Sequence, residues 1–488
     1  MQVLERRGTL WFVAALTALL CAIANLPWTL DDYEQAKQAY TSFEMVNEGH
    51  WFHQHTPNEK IANKPPLVGW VSAGIYGLTR SWELAWRLPS LAAAAALGWL
   101  LWRAARQAYG ASAGLLALSA FGLNLLALRL ATLVRTDMPL ALFLFLLGLQ
   151  IWRKIRDAEP WTRRDRVVAF ALLTAAILTK GPILYAFLLP AIAAYEWRRR
   201  VTGNGASAWS GWRPWLAALA VFLIWVEAGV AFVPNFYEEA VLKEFLGRFG
   251  ETVHRPQPFY FYLPHLLHKF APWSVLLVAF AVLVWRLEKA PLVERLKRTS
   301  PEKFWLICWC VGGLLIMSAV PSKRVDRIFP IVPPLCLLMA SLFNDLSRTT
   351  VLGRRAQRWA LAALVAAVLI SSGYVGQRVF ISYRNDEAAL ARFGAAVRRE
   401  TTARGWRYGV VGTLEEGLLL YLRRMHFTPP EEAIALWKAG ELDAVVIPEG
   451  KLSRVSRSDF PGAVPTGLQA AITINREPRP YLLLQRVP

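Results

Sequence analysis

A polytopic α-helical membrane protein carrying a small C-terminal soluble α/β domain is the fold class the sequence predicts, and three observations predict it. Apolar residues make up 55% of the 488, with 22 tryptophans and a mean hydropathy of +0.30, which is too apolar for a soluble globule. Runs such as 9–28, 111–128, 215–233 and 359–375 are mostly apolar over the roughly 20 residues a helix needs to cross about 30 Å of hydrocarbon. They lack period-two alternation, so they read as helices and not as barrel strands. Third, basic residues gather beside the ends of these runs: Arg103/Arg106, Arg153/Lys154/Arg156, Arg163/Arg164/Arg166, Arg198/Arg199/Arg200, Arg286/Lys289, Arg295/Lys297/Arg298 and Arg354/Arg355/Arg358.

That last pattern decides how the net charge of +20 is read. Concentrated on one soluble face it would point to nucleic acid. Placed at helix ends it is the positive-inside signature, so membrane lipids are the expected partner and nucleic acid is not. Cys21, Cys308, Cys310 and Cys336 all fall in apolar runs without zinc-ribbon or thioredoxin spacing, and read as buried hydrophobes. The run after Arg6/Arg7 is too long for a signal-peptide core and reads as a retained anchor.

Threading starts from Arg6/Arg7 inside, so the first crossing, about 9–28, delivers Asp31 to the periplasm. The run 65–78 is short for a span and predicts an interfacial or re-entrant helix. With that choice, a crossing from about 88 to 106 and further ones near 111–132, 138–152, 166–179, 182–196, 213–233, 272–286, 303–319, 327–343 and 357–374 put every basic cluster in the cytoplasm. About eleven spans result, with periplasmic loops at about 29–87 and 234–270 and a periplasmic C-terminus. From about 380 onward the membrane signal stops and short strands and helices alternate: 407–412, 415–424, 431–438, 444–448 and 481–485. The expected division is therefore a transmembrane part, 1–378, and an α/β domain, 379–488, which shows no phosphate loop or dinucleotide fingerprint and is assigned no chemistry.

The outer loops carry polar residues that membrane insertion does not require. Asp31-Asp32-Tyr33-Glu34-Gln35 opens a helix on which Tyr33, Ala36, Tyr40 and Phe43 share a face. Two adjacent carboxylates there suit an acceptor hydroxyl or a cation; an acidic cap on an amphipathic surface helix is the plain alternative. Lys64 precedes Pro65-Pro66, whose fixed backbone would hold an ammonium at headgroup depth. Asp137 sits at the outer mouth of a crossing, as a functional carboxylate or as an N-cap reinforced by Pro139. Lys180-Gly181-Pro182, Arg248, His254-Arg255 and Lys323-Arg324 complete the outer turns. Lys64, Lys180, Arg248, Arg255, Lys323 and Arg324 thus place cations on the side where positive-inside bias depletes them, so an anion is expected between them.

In order along the chain, the acidic pair, Asn63-Lys64-Pro65-Pro66, Arg87-Leu88-Pro89-Ser90, Thr136-Asp137-Met138, Thr179-Lys180-Gly181-Pro182, Gly247-Arg248-Phe249, His254-Arg255-Pro256-Gln257-Pro258-Phe259 and Ser322-Lys323-Arg324 resemble the bacterial aminoarabinose transferases that modify lipid A and their relatives in the protein O-mannosyltransferase superfamily. The likeness runs from about 10 to 340. It implies a GT-C fold, an undecaprenyl-phosphate sugar donor, lipid A as acceptor, and transfer at the outer face of a bacterial inner membrane. Carried over by position, Asp31 or Asp32 and Asp137 are the acidic groups, one of them the base for the acceptor, and Lys64, Arg255 and Lys180 hold the donor phosphate. A single displacement at the anomeric carbon, with inversion, is the implied mechanism.

Two positions depart from the family pattern. Asn63 stands where relatives often have the glutamate that resembles a metal ligand paired with a histidine, here His254; a divalent metal at His254 is the one cofactor the resemblance raises. Phe245 follows Glu244 where many relatives have histidine. A protein or other envelope glycan as acceptor is the alternative within the same chemistry. A lipid-linked sugar transporter would place its polar residues near the bilayer midplane in repeated broken helices, whereas here they collect in outer loops.

Overall fold

The computed structural model describes residues 2–30, 33–57, 60–62, 64–246, 256–287, 290–412, 416–449, 455–474 and 477–487. Helix α1 (Arg7–Ile23) leads into α2 (Tyr33–Glu48), a two-stranded ribbon β1 (His55–Thr56) and β2 (Lys60–Ile61), and α3 (Leu67–Thr79). Then follow α4 (Trp82–Tyr109), α5 (Ala111–Gly122), α6 (Leu125–Leu130), α7 (Asp137–Arg156), α8 (Arg163–Lys180), α9 (Leu184–Thr202) and α10 (Trp212–Phe232). The bundle closes with α11 (Tyr262–Lys269), α12 (Trp273–Leu287), α13 (Leu292–Arg298), α14 (Pro301–Ala319), α15 (Val332–Ser347) and α16 (Thr350–Arg384).

Among the described residues, seven helical stretches are long and apolar enough to span, or eight if the pair 259–269 and 273–287, bent by 103°, counts as one. Nine of the expected eleven crossings fall on these stretches, two of them on Arg163–Thr202, whereas those at 9–28 and 111–132 fall on the shorter apolar helices Arg7–Ile23 and Ala111–Gly122. Arg163–Thr202 is 40 residues of helix, twice one crossing, and the backbone leaves the helical region at Gly181 (φ 75°, ψ −164°), which divides it into α8 and α9. The expected crossing at 111–132 is broken: buried Asn124 turns its side chain back to accept from the Ala127 amide at 2.9 Å, capping the short α6. Helix α3 has 13 residues, about 20 Å, short of the hydrocarbon thickness as the sequence predicts.

Polarity along each helix follows the charge reading. Helix α7 carries Asp137 in its first turn and Arg153, Lys154 and Arg156 in its last; α8 begins with Arg163 and a Thr162/Asp165 capping box and ends on Lys180. The α7–α14 contact is close because Gly148 has no side chain, so the Trp309 ring lies where a Cβ would sit. All four cysteines are buried and unpaired by disulfide.

Helix α2 departs from the surface-helix alternative. Residues 35–45 of it, Lys37 apart, are buried, Glu44 completely. Its apolar face meets α4, where Phe43 lies edge-on to Trp82 with centroids 5.3 Å apart, and its other side meets the C-terminal part. That part contains α17 (Ala389–Arg404), β3 (Tyr408–Val410), α18 (Glu416–Leu422), α19 (Pro430–Lys438), β4 (Ala444–Pro448), β5 (Ala463–Ile474) and β6 (Glu477–Arg486). The sheet order is β3-β4-β6-β5, parallel between β3 and β4 and antiparallel elsewhere. The boundary expected at 378/379 falls within the last turns of α16. Tyr40, Phe43, Trp82 and Trp86 share one buried cluster with Phe393, Leu418 and Tyr421, so this α/β unit packs on α2 rather than hanging free. The Tyr421 hydroxyl accepts from the Leu30 amide at 2.6 Å.

Candidate active site

One end of the bundle brings the start of α2, the residue before Pro65-Pro66, the start of α7, the end of α8 and the segment after α14 together. At each of these places the sequence puts a charged side chain. Three carboxylates organise them. Glu34, in the first turn of α2, accepts from Arg324 at 2.8 Å and lies 3.8 Å from the Lys64 ammonium. Asp137 opens α7 and is ion-paired with Lys180 at the end of α8. Asp326 takes Arg135 at 2.9 Å and has Arg129 at 3.8 Å. The three pairs form one field: Lys64 lies within electrostatic reach of Glu34, Asp137, Arg135 and Arg324, Lys180 feels Lys64 and Arg327, and Arg327 feels Arg324, Asp137 and Glu34.

Burial alone would raise the Glu34 carboxyl, but the Lys64 ammonium and the Arg324 guanidinium outweigh it and hold it at about 2, against an ordinary 4.5. Burial also pushes the Lys64 ammonium below its ordinary 10.5, with Glu34 and Asp137 opposing the shift and Arg135 and Arg324 reinforcing it. Glu34 is therefore held ionised by cations, and around Glu34, Asp137 and Asp326 the cations outnumber the carboxylates. An arrangement of that kind binds a second anion by letting it share the same donors.

Of the residues singled out from sequence, Lys64, Asp137, Lys180 and Arg324 come together here. Lys323 does not join them; its ammonium donates to the Gln257 carbonyl at 2.9 Å. Asp31, Asp32, Arg248, His254 and Arg255, with Asn63, lie outside the described residues. Glu34 and Asp326 carry two of the three pairings and were not singled out. Glu34 stands two residues after the acidic pair, so composition pointed to the right loop and helical phase selects the carboxylate. Asp326 gave no signal, because one aspartate before an apolar run also reads as a helix start. Among the described residues, one group can hold a metal ion: Glu44, His50 and His55, whose ligand atoms all lie within 4.8 Å of one another.

A bundle of this kind, with its charged cluster at one end and an α/β unit packed on α2, defines a polytopic membrane protein of the GT-C fold. Residues 63–228 match the family described as dolichyl-phosphate-mannose-protein mannosyltransferase. The undecaprenyl phosphate-alpha-4-amino-4-deoxy-L-arabinose arabinosyl transferase 1 of Sodalis glossinidius is 29% identical over 399 residues, 76% of this chain and 66% of that protein. The corresponding transferase 2 of Proteus mirabilis is 28% identical over 355 residues, 70% and 59%. The chain thus spans under two thirds of the length of these curated relatives. The crystal structure of ArnT from Cupriavidus metallidurans bound to undecaprenyl phosphate superposes with a TM-score of 0.68 over 98% of both chains at 19% identity, which speaks to the fold. The oligosaccharyltransferase of Archaeoglobus fulgidus tethered to an acceptor peptide follows at 0.51 and 12%, covering 90% of this chain and 69% of that one. The fold is thus that of the GT-C transferases, and the sequence is similar to the aminoarabinose transferases and, over residues 63–228, to the protein mannosyltransferases.

Proposed function

We propose that this protein transfers a sugar from an undecaprenyl-phosphate carrier to an envelope acceptor, lipid A first, at the periplasmic face of a bacterial inner membrane. The observation that carries the reading is the cation-rich cluster of Lys64, Arg324, Lys180, Arg135 and Arg327 around Glu34, Asp137 and Asp326. The two relatives from Sodalis glossinidius and Proteus mirabilis, both named as aminoarabinose transferases on undecaprenyl phosphate, support the substrate class.

In this mechanism the carrier's phosphodiester enters among the cations and takes hydrogen bonds from Lys64 and Arg324, with Arg248 and Arg255 assigned to the same phosphate from the sequence. Glu34 loses part of the charge that holds its carboxyl at about 2, returns toward its ordinary value and becomes a better proton acceptor. Glu34 or Asp137 then takes the acceptor's hydroxyl proton as its oxygen attacks the anomeric carbon. The bond from that carbon to the phosphate oxygen breaks, the electron pair leaves with the polyprenyl phosphate, and the cations stabilise the charge that develops there. Attack opposite the leaving group inverts the anomeric centre. Asp31 and Asp32, which precede α2 in the sequence, are assigned the orientation of the acceptor.

The matched mannosyltransferase segment favours one second reading, a protein acceptor for the same donor chemistry. We place the transmembrane part at about 1–378 and the C-terminal unit, 379–488, on the periplasmic side. Mass spectrometry of lipid A and envelope glycans from cells with and without the protein, and with Lys64→Ala, tests the whole. A pentose-sized addition to lipid A that Lys64→Ala fails to restore is expected; an unchanged lipid A beside an altered glycoprotein moves the acceptor, and no change in either overturns the reading.

A further inference from the structure

We propose that Glu44, His50 and His55 form a binding site for one divalent transition-metal ion of the zinc type, separate from the charged cluster. Glu44 lies on the last turns of α2, its side chain fully buried. The loop after α2 returns over it and presents two imidazoles: His50 Nδ1 is 2.8 Å and His55 Nδ1 3.2 Å from the same oxygen, Oε1. The two rings meet at 68° with centroids 4.8 Å apart, so they converge on a shared point from different directions and do not stack. Two imidazoles and one carboxylate are a ligand set that zinc takes, leaving a fourth position for water.

The surroundings are those of a built site. The His55 amide donates to both Glu44 oxygens, at 2.9 and 2.8 Å, which fixes the carboxylate as an outer-shell donor does. The loop is anchored on either side: the His53 ring stacks on Trp225 and its Nε2 meets the Trp225 carbonyl at 2.9 Å, and Trp70 Nε1 donates to the Trp51 carbonyl at 2.6 Å. His50 is half-exposed, which leaves an entry path. Ligand atoms on a tetrahedral ion bonded at about 2.0–2.1 Å stand a little over 3 Å apart, so the present spacings need only small side-chain shifts. Ligation through both Nδ1 atoms requires each imidazole to carry its proton on Nε2. No oxidant and no net proton acceptor are required.

The site is not at the chemistry. Glu34 and Glu44 are separated along α2 by about 15 Å. The bound ion instead clips α2 to the β1–β2 ribbon, whose second strand leads within a few residues to Lys64.

The test uses the full chain purified in detergent, stripped with a chelator and titrated with zinc or cobalt(II) chloride. One ion per chain by elemental analysis, tetrahedral cobalt absorption and a rise in thermal midpoint on adding zinc are expected for the wild type. His50→Gln, which keeps the His55–Glu44 contacts, is expected to unfold at the wild-type temperature without metal but to bind zinc about 100-fold more weakly or worse. Glu44→Gln and His55→Gln should lose the ion as well. No stoichiometric ion in the wild type, or an ion that His50→Gln retains and His254→Gln loses, would overturn the proposal and leave Glu44 a hydrogen-bonded anchor for the two histidines.

Discussion

Glu34 is where one residue's environment makes a measurable prediction. Its folded value, about 2, lies below its ordinary 4.5, so the stabilisation from its ion pairs is complete above about pH 4.5 and is lost as pH falls toward 2. With about a third of the side chain exposed, solvent screening keeps this to at most about 1 kcal/mol. Thermal unfolding should therefore show a small drop between pH 5 and 3 that Glu34→Gln removes. Lys64 is the opposite case: its ammonium is held below 10.5, so donor binding should fail on the alkaline side earlier than an ordinary lysine would allow. Lys64→Arg keeps its charge far above that range, and the alkaline limb of the pH–rate profile should move to higher pH. An unmoved limb would take Lys64 out of donor binding. Asp137→Asn should lower transfer by about 100- to 10,000-fold if Asp137 accepts the proton, with the protein still inserting; Lys180 then keeps a neutral partner.

Between helices, the strongest constraint is the α7–α14 seam. Gly148 accepts Trp309 so closely that any side chain must displace the indole, which also stacks on Phe145 with centroids 5.9 Å apart. Gly148→Ala should cost about 1–3 kcal/mol through overpacking, read as a lower melting temperature in detergent. Because α7 starts at Asp137, a tilt of this helix also misplaces the carboxylate opposite Lys180, so activity should fall more than folding does. Helix α2 works similarly from the other side. Buried along most of its length, it holds Glu34 at one end and Glu44 near the other, and its orientation comes from packing against Trp82 and α18 rather than from its own polarity.

At the level of the whole molecule, the C-terminal unit is a structural partner of the charged cluster. Removing residues after 384 would expose Tyr40, Phe43, Trp82 and Trp86 together, a patch of the kind that drives aggregation, and would take away the Tyr421 hydroxyl that receives the Leu30 amide. Such a truncation should lose transfer and purify poorly. A reporter fused after Pro488 should face the periplasm; a cytoplasmic reporter would reverse the sidedness proposed here. Hydropathy and charge by themselves determined the membrane class, the places where most helices end, the shortness of α3 and the alternation of elements in 407–448, because each depends on neighbours along the chain. The same one-dimensional signals marked Lys64, Asp137, Lys180 and Arg324 as cations and acids in outer loops. Only the tertiary structure decided that Glu34 and Asp326 hold those cations, that Lys323 turns away to Gln257, and that Glu44 meets His50 and His55. Ion pairs and ligand sets join segments up to about 290 residues apart, and no local periodicity or composition encodes which of several like charges will be brought within 4 Å.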